Sequence, residues 1–422
     1  MAKALLPPRP ALCLLTLAAL AALAAPAPIA SAGPHSSAPR VERMAVSMKR
    51  KLGAGGQCSA LWRSPQRRRS AHLRRRFELR MARCRHARLA HRATSSATKP
   101  QLPLYWGAWI GDQLTGEQAP WDMGAVTKFE EMVGKSVSLI NFSQPFANCS
   151  SSPCSYYRFP APEMENIRRH GSIPFFSWAS DSTPTSVNEP NFQLSDVIEG
   201  TYDSYIKQFA EAAREWGHPF FLRFNWEMNG NWFPWSEGAN GNQAGEYVSA
   251  WRHVHDIFAS VGASNVSWVW CPNVDPEGHL QNLSSLYPGN EYVNWTGLDG
   301  YNWGTNPISP KGWSSFNQLY SAAYQDITET IAPAKPMVIG EMGSTEDGGS
   351  KSAWIQEALS EIPANYPKIR ALMWFEKFEG GMDWPIESSA SATSAFASGI
   401  QNPAYLGNSY SSLGSGPIQP PS

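Results

Sequence analysis

The sequence predicts a (β/α)8 barrel over residues 101–422, and three observations carry that expectation. Eight apolar runs of strand length are spread over about 320 residues. Amphipathic stretches, with apolar residues recurring at three and four, separate most of them. The runs are continuously apolar rather than alternating, as befits strands covered on both faces of a parallel sheet. An open doubly wound sheet fits less well, because "YWGAWIG" at the first strand offers no glycine-rich turn for a dinucleotide.

In order, the runs are "LYWGAWI" (104–110), "SVSLINF" (136–142), "IPFFSW" (173–178), "FFLRFNWE" (220–227), "VSWVWC" (266–271), "TGLDGYNW" (296–303), "KPMVIGE" (335–341) and "IRALMWFE" (369–376). Among the intervening stretches, "DSYIKQFAEAAREWG", "GEYVSAWRHVHDIFASVG" and "NQLYSAAYQDITETIA" each carry one apolar face of helical period. The connection from 271 to 296 reads as loop rather than helix.

Formal neutrality of the 422-residue chain hides two opposite pieces. Residues 1–100 hold 20 of the 35 Lys and Arg with only two acids, Glu42 and Glu78, which leaves residues 101–422 with a net charge of −18. The acidic, Trp-rich piece is a poor nucleic-acid ligand, since phosphate binding needs a basic footprint, so a neutral partner is expected.

Lys3 and Arg9 precede the apolar "LCLLTLAALAALAA", and Ala30 and Ala32 stand before Gly33, which reads as a secretory signal peptide over 1–32. An uncleaved anchor is the alternative, but the apolar run is shorter than the ~20 residues a span needs. No later segment is long and apolar enough to cross a bilayer, so a secreted, extracellular protein is expected. Residues 33–100, rich in Arg, Ala and Ser, read as a solvated linker or pro-segment. The sharper reading is a cationic segment, residues 40–99, that attaches the protein to an anionic surface. "CSSSPC" (149–154) reads as a short loop for a local disulfide, with a metal site the weaker alternative, and Cys271 as a buried free thiol. Nothing in the pattern calls for a cofactor or metal, and a monomer is expected.

In a barrel of this kind functional residues stand at the C-terminal ends of the strands. Glu227 closes the fourth run, Asp299 lies in the sixth, Glu341 closes the seventh and Glu376 the eighth. A carboxylate inside an apolar mouth is costly unless paired or used, and two facing each other suit general-acid and nucleophile work on a glycosidic bond. Ion pairs at the barrel rim are the bland alternative. Trp106, Trp109, Trp178, Trp232, Trp235, Trp303 and Trp374 fall at or just past strand ends, where rings can stack on pyranose faces. Asn225, Asn229, Asn302 and Tyr301 can hydrogen-bond hydroxyls.

"LRFNWEMNGNWFPW" resembles the acid/base segment of glycoside hydrolase family 26, and "VIGEMGS", 114 residues on, resembles its nucleophile segment. The likeness covers residues 104–405 and implies a (β/α)8 barrel that cleaves β-linked polysaccharide with retention. It implies Glu227 as acid/base, Glu341 as nucleophile, Arg223 as brace of the carboxylates and Trp232 as a substrate-side ring. Tyr301 would bond the nucleophile, Trp374 would floor the cleavage point, and Trp178, Trp226 and Trp303 would join the substrate wall. One position departs: mannanases of the family have His before the acid/base, where this chain has Trp226. The expected activity is endo-hydrolysis of β-1,4-mannan, with mixed-linkage β-glucan or β-1,3-xylan as alternatives. A non-catalytic carbohydrate-binding protein is the rival of another class.

Overall fold

A computed structural model describes residues 101–274, 282–307 and 312–422. The readings of a signal peptide and a basic segment lie outside these residues. Eight parallel strands form the sheet: β1 (Leu104–Ile110), β2 (Leu139–Asn148), β3 (Ile173–Thr183), β4 (Phe220–Phe224), β5 (Val266–Trp270), β6 (Trp295–Asn302), β7 (Met337–Ser344) and β8 (Ile369–Glu376). Each pairs with the next, and β1 closes the ring by pairing with both β8 and β2. The closure tolerates no side chain at Gly107: a Cβ there would lie 1.9 Å from the carbonyl oxygen of Leu139.

Seven helices cover the outside among the described residues: α1 (Met123–Val133), α2 (Ala161–His170), α3 (Asp203–Trp216), α4 (Glu246–Ser260), α5 (Phe316–Gln325), α6 (Lys351–Asn365) and α7 (Ala390–Ile400), besides a five-residue helix at Leu194–Ile198. Their starts and stops follow local chemistry. Asp122, Ser315, Ser350 and Ser389 cap the N-termini of α1, α5, α6 and α7, and Gly134, Gly171 and Gly217 end α1, α2 and α3 in the left-handed conformation. Between β5 and β6 the described residues hold only a short 3-10 turn, Leu283–Leu286, in keeping with the loop expected there. Cys149 and Cys154 are bridged beyond β2, and Cys271 is free and buried. No helix among the described residues is long and apolar enough to cross a membrane.

Strand parity divides the side chains into two populations. Outward residues build the layer under the helices, where Trp178 stacks on Phe209 of α3 at 4.2 Å and Trp374 meets Phe396 of α7 at 5.4 Å. Inward residues fill the barrel in tiers. Low in the bore Phe221 packs against Phe175 at 5.5 Å in a tilted arrangement and against Trp295 edge to face at 5.2 Å. Above them sits a polar tier of Asn141, Ser177, Arg223 and Asp299, all fully buried.

The C-terminal residues cross the floor of the barrel. Ile418 N–H donates to Ser267 Oγ (2.7 Å), Trp295 Nε1 donates to Ile418 O (2.8 Å), Tyr105 Oη donates to Gln419 O (3.2 Å), and Arg370 donates to Pro421 O. These bonds tie together the beginnings of β1, β5, β6 and β8. With about 1 kcal/mol net per hydrogen bond, removing residues 417–422 is expected to cost about 2–4 kcal/mol. Thermal unfolding of the truncated chain checks this, and an unchanged midpoint would refute it.

Candidate active site

At the C-terminal end of the strands lies a cleft of about 590 Å³ that contains both Glu227 and Glu341. It is walled by Trp109, Trp226, Trp232, Phe233, Trp235, Trp303, Phe375 and Trp384, with Gln144, Asp181, Asn273 and Tyr301 as polar members.

Glu341 stands inside β7, and the cation that faces it comes from β4. Arg223 is fully buried, and each face of its guanidinium fork is used: Nε donates to Ser177 Oγ (2.9 Å), Nη1 to Asp299 Oδ2 (2.7 Å) and Nη2 to Glu341 Oε1. Burial works against the charged guanidinium, but the carboxylates of Asp299 and Glu341 outweigh it and hold the charge on. Gly340 has to lack a side chain, because a Cβ would fall 2.5 Å from Asp299 Oδ1 and 2.9 Å from Arg223 Nη1. Tyr301 Oη donates to the other oxygen of Glu341. Burial, then the charge of Glu341, push the tyrosine well above its ordinary value, so it remains a donor.

Glu227 is positioned differently. β4 ends at Phe224, so Glu227 does not close the strand as expected but lies three residues beyond it. Asn225 and Glu227 both adopt positive φ, 44° and 53°, a conformation rare outside glycine. The turn is pinned from several sides. Glu227 N–H donates to Cys271 O (2.8 Å), Asn225 N–H to Trp178 O (3.1 Å), and the Asn225 side chain bonds Ser180 through its backbone N–H and its hydroxyl. Such strain persists where the surroundings over-determine it, commonly at functional sites. The Glu227 carboxyl accepts from Trp232 Nε1 (2.7 Å) and from Asn273 Nδ2 (2.7 Å). Burial first, and then the charge of Glu341, push it up to about 7, against the pull of those two bonds and of Arg223.

One oxygen each of Glu227, Asp299 and Glu341 lies within 4.8 Å of the others. Three acids so close resemble a cation site, but Arg223 already supplies the positive charge, bonded to two of the three. An oxygen of Glu227 and one of Glu341 thus face each other across no more than 4.8 Å of the cleft.

The expected site residues divide. Arg223, Tyr301 and Glu341 form one bonded group, Trp232 bonds Glu227 close beside it, and Trp226 and Trp303 line the cleft. Trp226 also lies over Arg223, 4.8 Å from ring centroid to guanidinium carbon. Trp178 and Trp374 are corrections: both are fully buried on the outward face of their strands and reach no substrate. The ring against Tyr301 is instead that of Trp384, 4.9 Å from Tyr301 and 4.8 Å from Trp303, and the Trp384 backbone oxygen accepts from Trp374 Nε1 (3.1 Å). Trp106 and Glu376 likewise face outward, and Asn225 and Asn302 spend their side chains on the protein. Asn273, Trp384 and Asp181 carried no periodic signal, because each takes its place through a loop or through strand parity.

Fold and site together define a (β/α)8 barrel that brings two glutamates, one just past β4 and one inside β7, into a single aromatic cleft. Residues 161–372 match glycosyl hydrolase family 26, and the chain belongs to that family. It is 34% identical over 297 residues to Endoglucanase H of Acetivibrio thermocellus, covering 70% of this chain and 30% of that protein. It is 29% identical over 158 residues to mannan endo-1,4-beta-mannosidase A and B of Caldalkalibacillus mannanilyticus, 36% of this chain and 27% of that protein. The chain thus spans less than a third of either relative. The modular endo-beta-1,4-mannanase of Cellulomonas fimi shares the fold, with a TM-score of 0.56 at 17% identity over 74% of this chain and 73% of that one.

The raised Glu227 carboxyl has a consequence for stability. Its folded-state value of about 7 lies above its ordinary 4.5, so its contribution is fully present below pH 4.5 and is lost as pH rises through about 7. Glu227→Gln, which cannot ionise, is expected to gain stability of the order of 2–3 kcal/mol over wild type above pH 7 and little near pH 4. Unfolding midpoints across pH 4–8 test this, and a pH-independent difference would contradict it.

Proposed function

We propose that the protein is a secreted, retaining endo-acting hydrolase of β-linked polysaccharide. The observation that carries the reading is the pair Glu227 and Glu341 on opposite sides of one aromatic cleft, at the short separation a covalent glycosyl-enzyme requires. Glu341, against Arg223 and Tyr301, attacks the anomeric carbon as a carboxylate. Glu227, kept protonated up to about pH 7 by its dry surroundings, delivers its proton to the leaving oxygen. It then takes a proton from the water that releases the sugar, so configuration is retained. Secretion is supported by the charged, apolar and small-residue succession at the N-terminus and by the Cys149–Cys154 bridge. The basic stretch, residues 40–99, fits attachment to an anionic surface.

For the polymer, a β-glucan is favoured over β-1,4-mannan. Trp226 occupies the place of the histidine that mannanases of the family carry before the acid/base, and it is bound up with Arg223, Phe233 and Trp235 rather than free to bond a sugar. The likeness to an endoglucanase over 70% of the chain points the same way. Mannan is the second reading, supported by the 29% identity to a mannan endo-1,4-beta-mannosidase.

Incubation with lichenan, carboxymethylcellulose, mannan, galactomannan and xylans, with products followed by proton NMR, tests the reading. First-formed reducing ends of β configuration are expected; α ends, or no cleavage of any of them, would sink it. Glu341→Ala should lose hydrolysis by a factor of at least about 10³ while still binding the polymer. The basic limb of kcat/KM should lie near pH 7 and belong to the coupled pair. Trp232→Phe deletes a bond that favours the ionised Glu227, so the limb should move to higher pH. Movement to lower pH would show that another group sets it.

A further inference from the structure

Across the cleft from Trp384, the wall at the ends of β2 and β3 carries an acid that the reaction above does not use. Asp181, near the end of β3, lines the cleft with Gln144 and Ala179 and is only 3% exposed. Its Oδ1 has no hydrogen-bond partner among the described residues, although Thr185 bonds the carboxyl. The neighbouring acid, Glu189, is occupied: Oε2 accepts from Ser182 N–H (2.9 Å) and Oγ (2.8 Å), and Oε1 accepts from Ser186 N–H (2.8 Å). The protein thus completes one carboxyl of the pair and leaves the other short of a partner beside the substrate space.

A buried polar atom without a partner is destabilising, and native proteins hold few of them. The bond from Thr185 satisfies only part of the Asp181 carboxyl, and Oδ1 remains a desolvated acceptor without compensation from the fold. Burial, and then the charge of Glu189, push its carboxyl up to about 8, so at neutral pH it is chiefly a neutral acid with both a donor and an acceptor. A neutral hydroxyl, which also has both, complements it. A carboxylate-bearing sugar could only accept, and it would bring charge to a wall that already holds Glu189.

We propose that Asp181 is a specificity-determining residue, hydrogen-bonded to a free hydroxyl of a neutral sugar unit seated against the β2–β3 wall of the cleft. This rests on the hydrolase reading. A site built to bond a hydroxyl discriminates strongly against an analogue that lacks it, because its own polar group is then left unpaired. Asp181 acts in the binding of the polymer and takes no part in the proton transfers of Glu227 and Glu341.

Asp181→Ala and Asp181→Asn separate this role from a structural one. On whichever polysaccharide wild type cleaves, Asp181→Ala is expected to raise KM by about tenfold, near 1.4 kcal/mol, with kcat changed by less than about threefold. Its unfolding temperature should be unchanged or higher, because a buried unpaired group has been removed. Asp181→Asn keeps one donor and one acceptor and should restore most of the lost affinity. In the Glu341→Ala background, calorimetry with a cello- or manno-oligosaccharide should show the same tenfold loss on adding Asp181→Ala. Unchanged KM and affinity would overturn the inference while leaving the hydrolase reading intact, as would a fall in unfolding temperature with no change in KM. A wild-type protein that neither cleaves nor binds any β-glycan would overturn both.

Discussion

The structure is organised around a single buried cation. Arg223 lies wholly inside the barrel, with Ser177 and the carboxylates of Asp299 and Glu341 on its edges and Phe175 and Trp226 against it at 5.7 and 4.8 Å. A guanidinium in such a place persists only if its charge and donors are matched, and removal of one partner leaves an uncompensated charge that typically costs 3–5 kcal/mol. The demand radiates outward. β6 and β7 must align so that Asp299 stands beside Glu341, Gly340 must leave room, and Ser177 is itself steadied by Asn141 at 3.1 Å.

From that cation the two glutamates acquire different characters. Glu341 shares its oxygens with Arg223 and Tyr301, so its negative charge is complemented at both. Glu227 reaches the cleft on a left-handed turn among tryptophans, and only two neutral donors meet it. Two residues of one chemical type thereby sit in opposite electrostatic settings, the asymmetry that the proposed double displacement calls for. The rings do more than wall the cleft. Trp232 bonds the acid, Trp235 holds the backbone oxygen of Trp226 at 2.7 Å, and Trp226 covers the arginine, so the wall of the cleft is also the scaffold of its charges.

Much of this was legible in the sequence. All eight runs became strands, β1 and β8 with the expected bounds, because continuous apolar character and the flanking caps are local properties. The cluster of Arg223, Glu227, Tyr301 and Glu341 was legible through the two motifs that carry the family resemblance. The tryptophans were harder. Trp178 and Trp374 sit at strand ends like Trp109 and Trp303, but they lie on the opposite parity, and a two-residue period does not announce which face looks inward. Counting from Arg223, which must face the bore to meet Glu341, sends Phe224 outward, but β8 holds no such anchor from which to count to Trp374.

What the sequence determined by itself is the barrel, the acidic balance of its residues, and the two glutamates of the cleft, since each depends on residues adjacent in the chain. Only the tertiary structure decided the rest. Asn273 reaches Glu227 from the loop after β5, Trp384 reaches Tyr301 from eight residues beyond β8, and one oxygen of Asp181, in the wall between, has no partner among the described residues. The first two relations join residues 46 and 83 apart in the chain, and no local periodicity encodes them; they exist because closing the sheet brings the strand ends around one mouth, where desolvation raises the value of every polar contact.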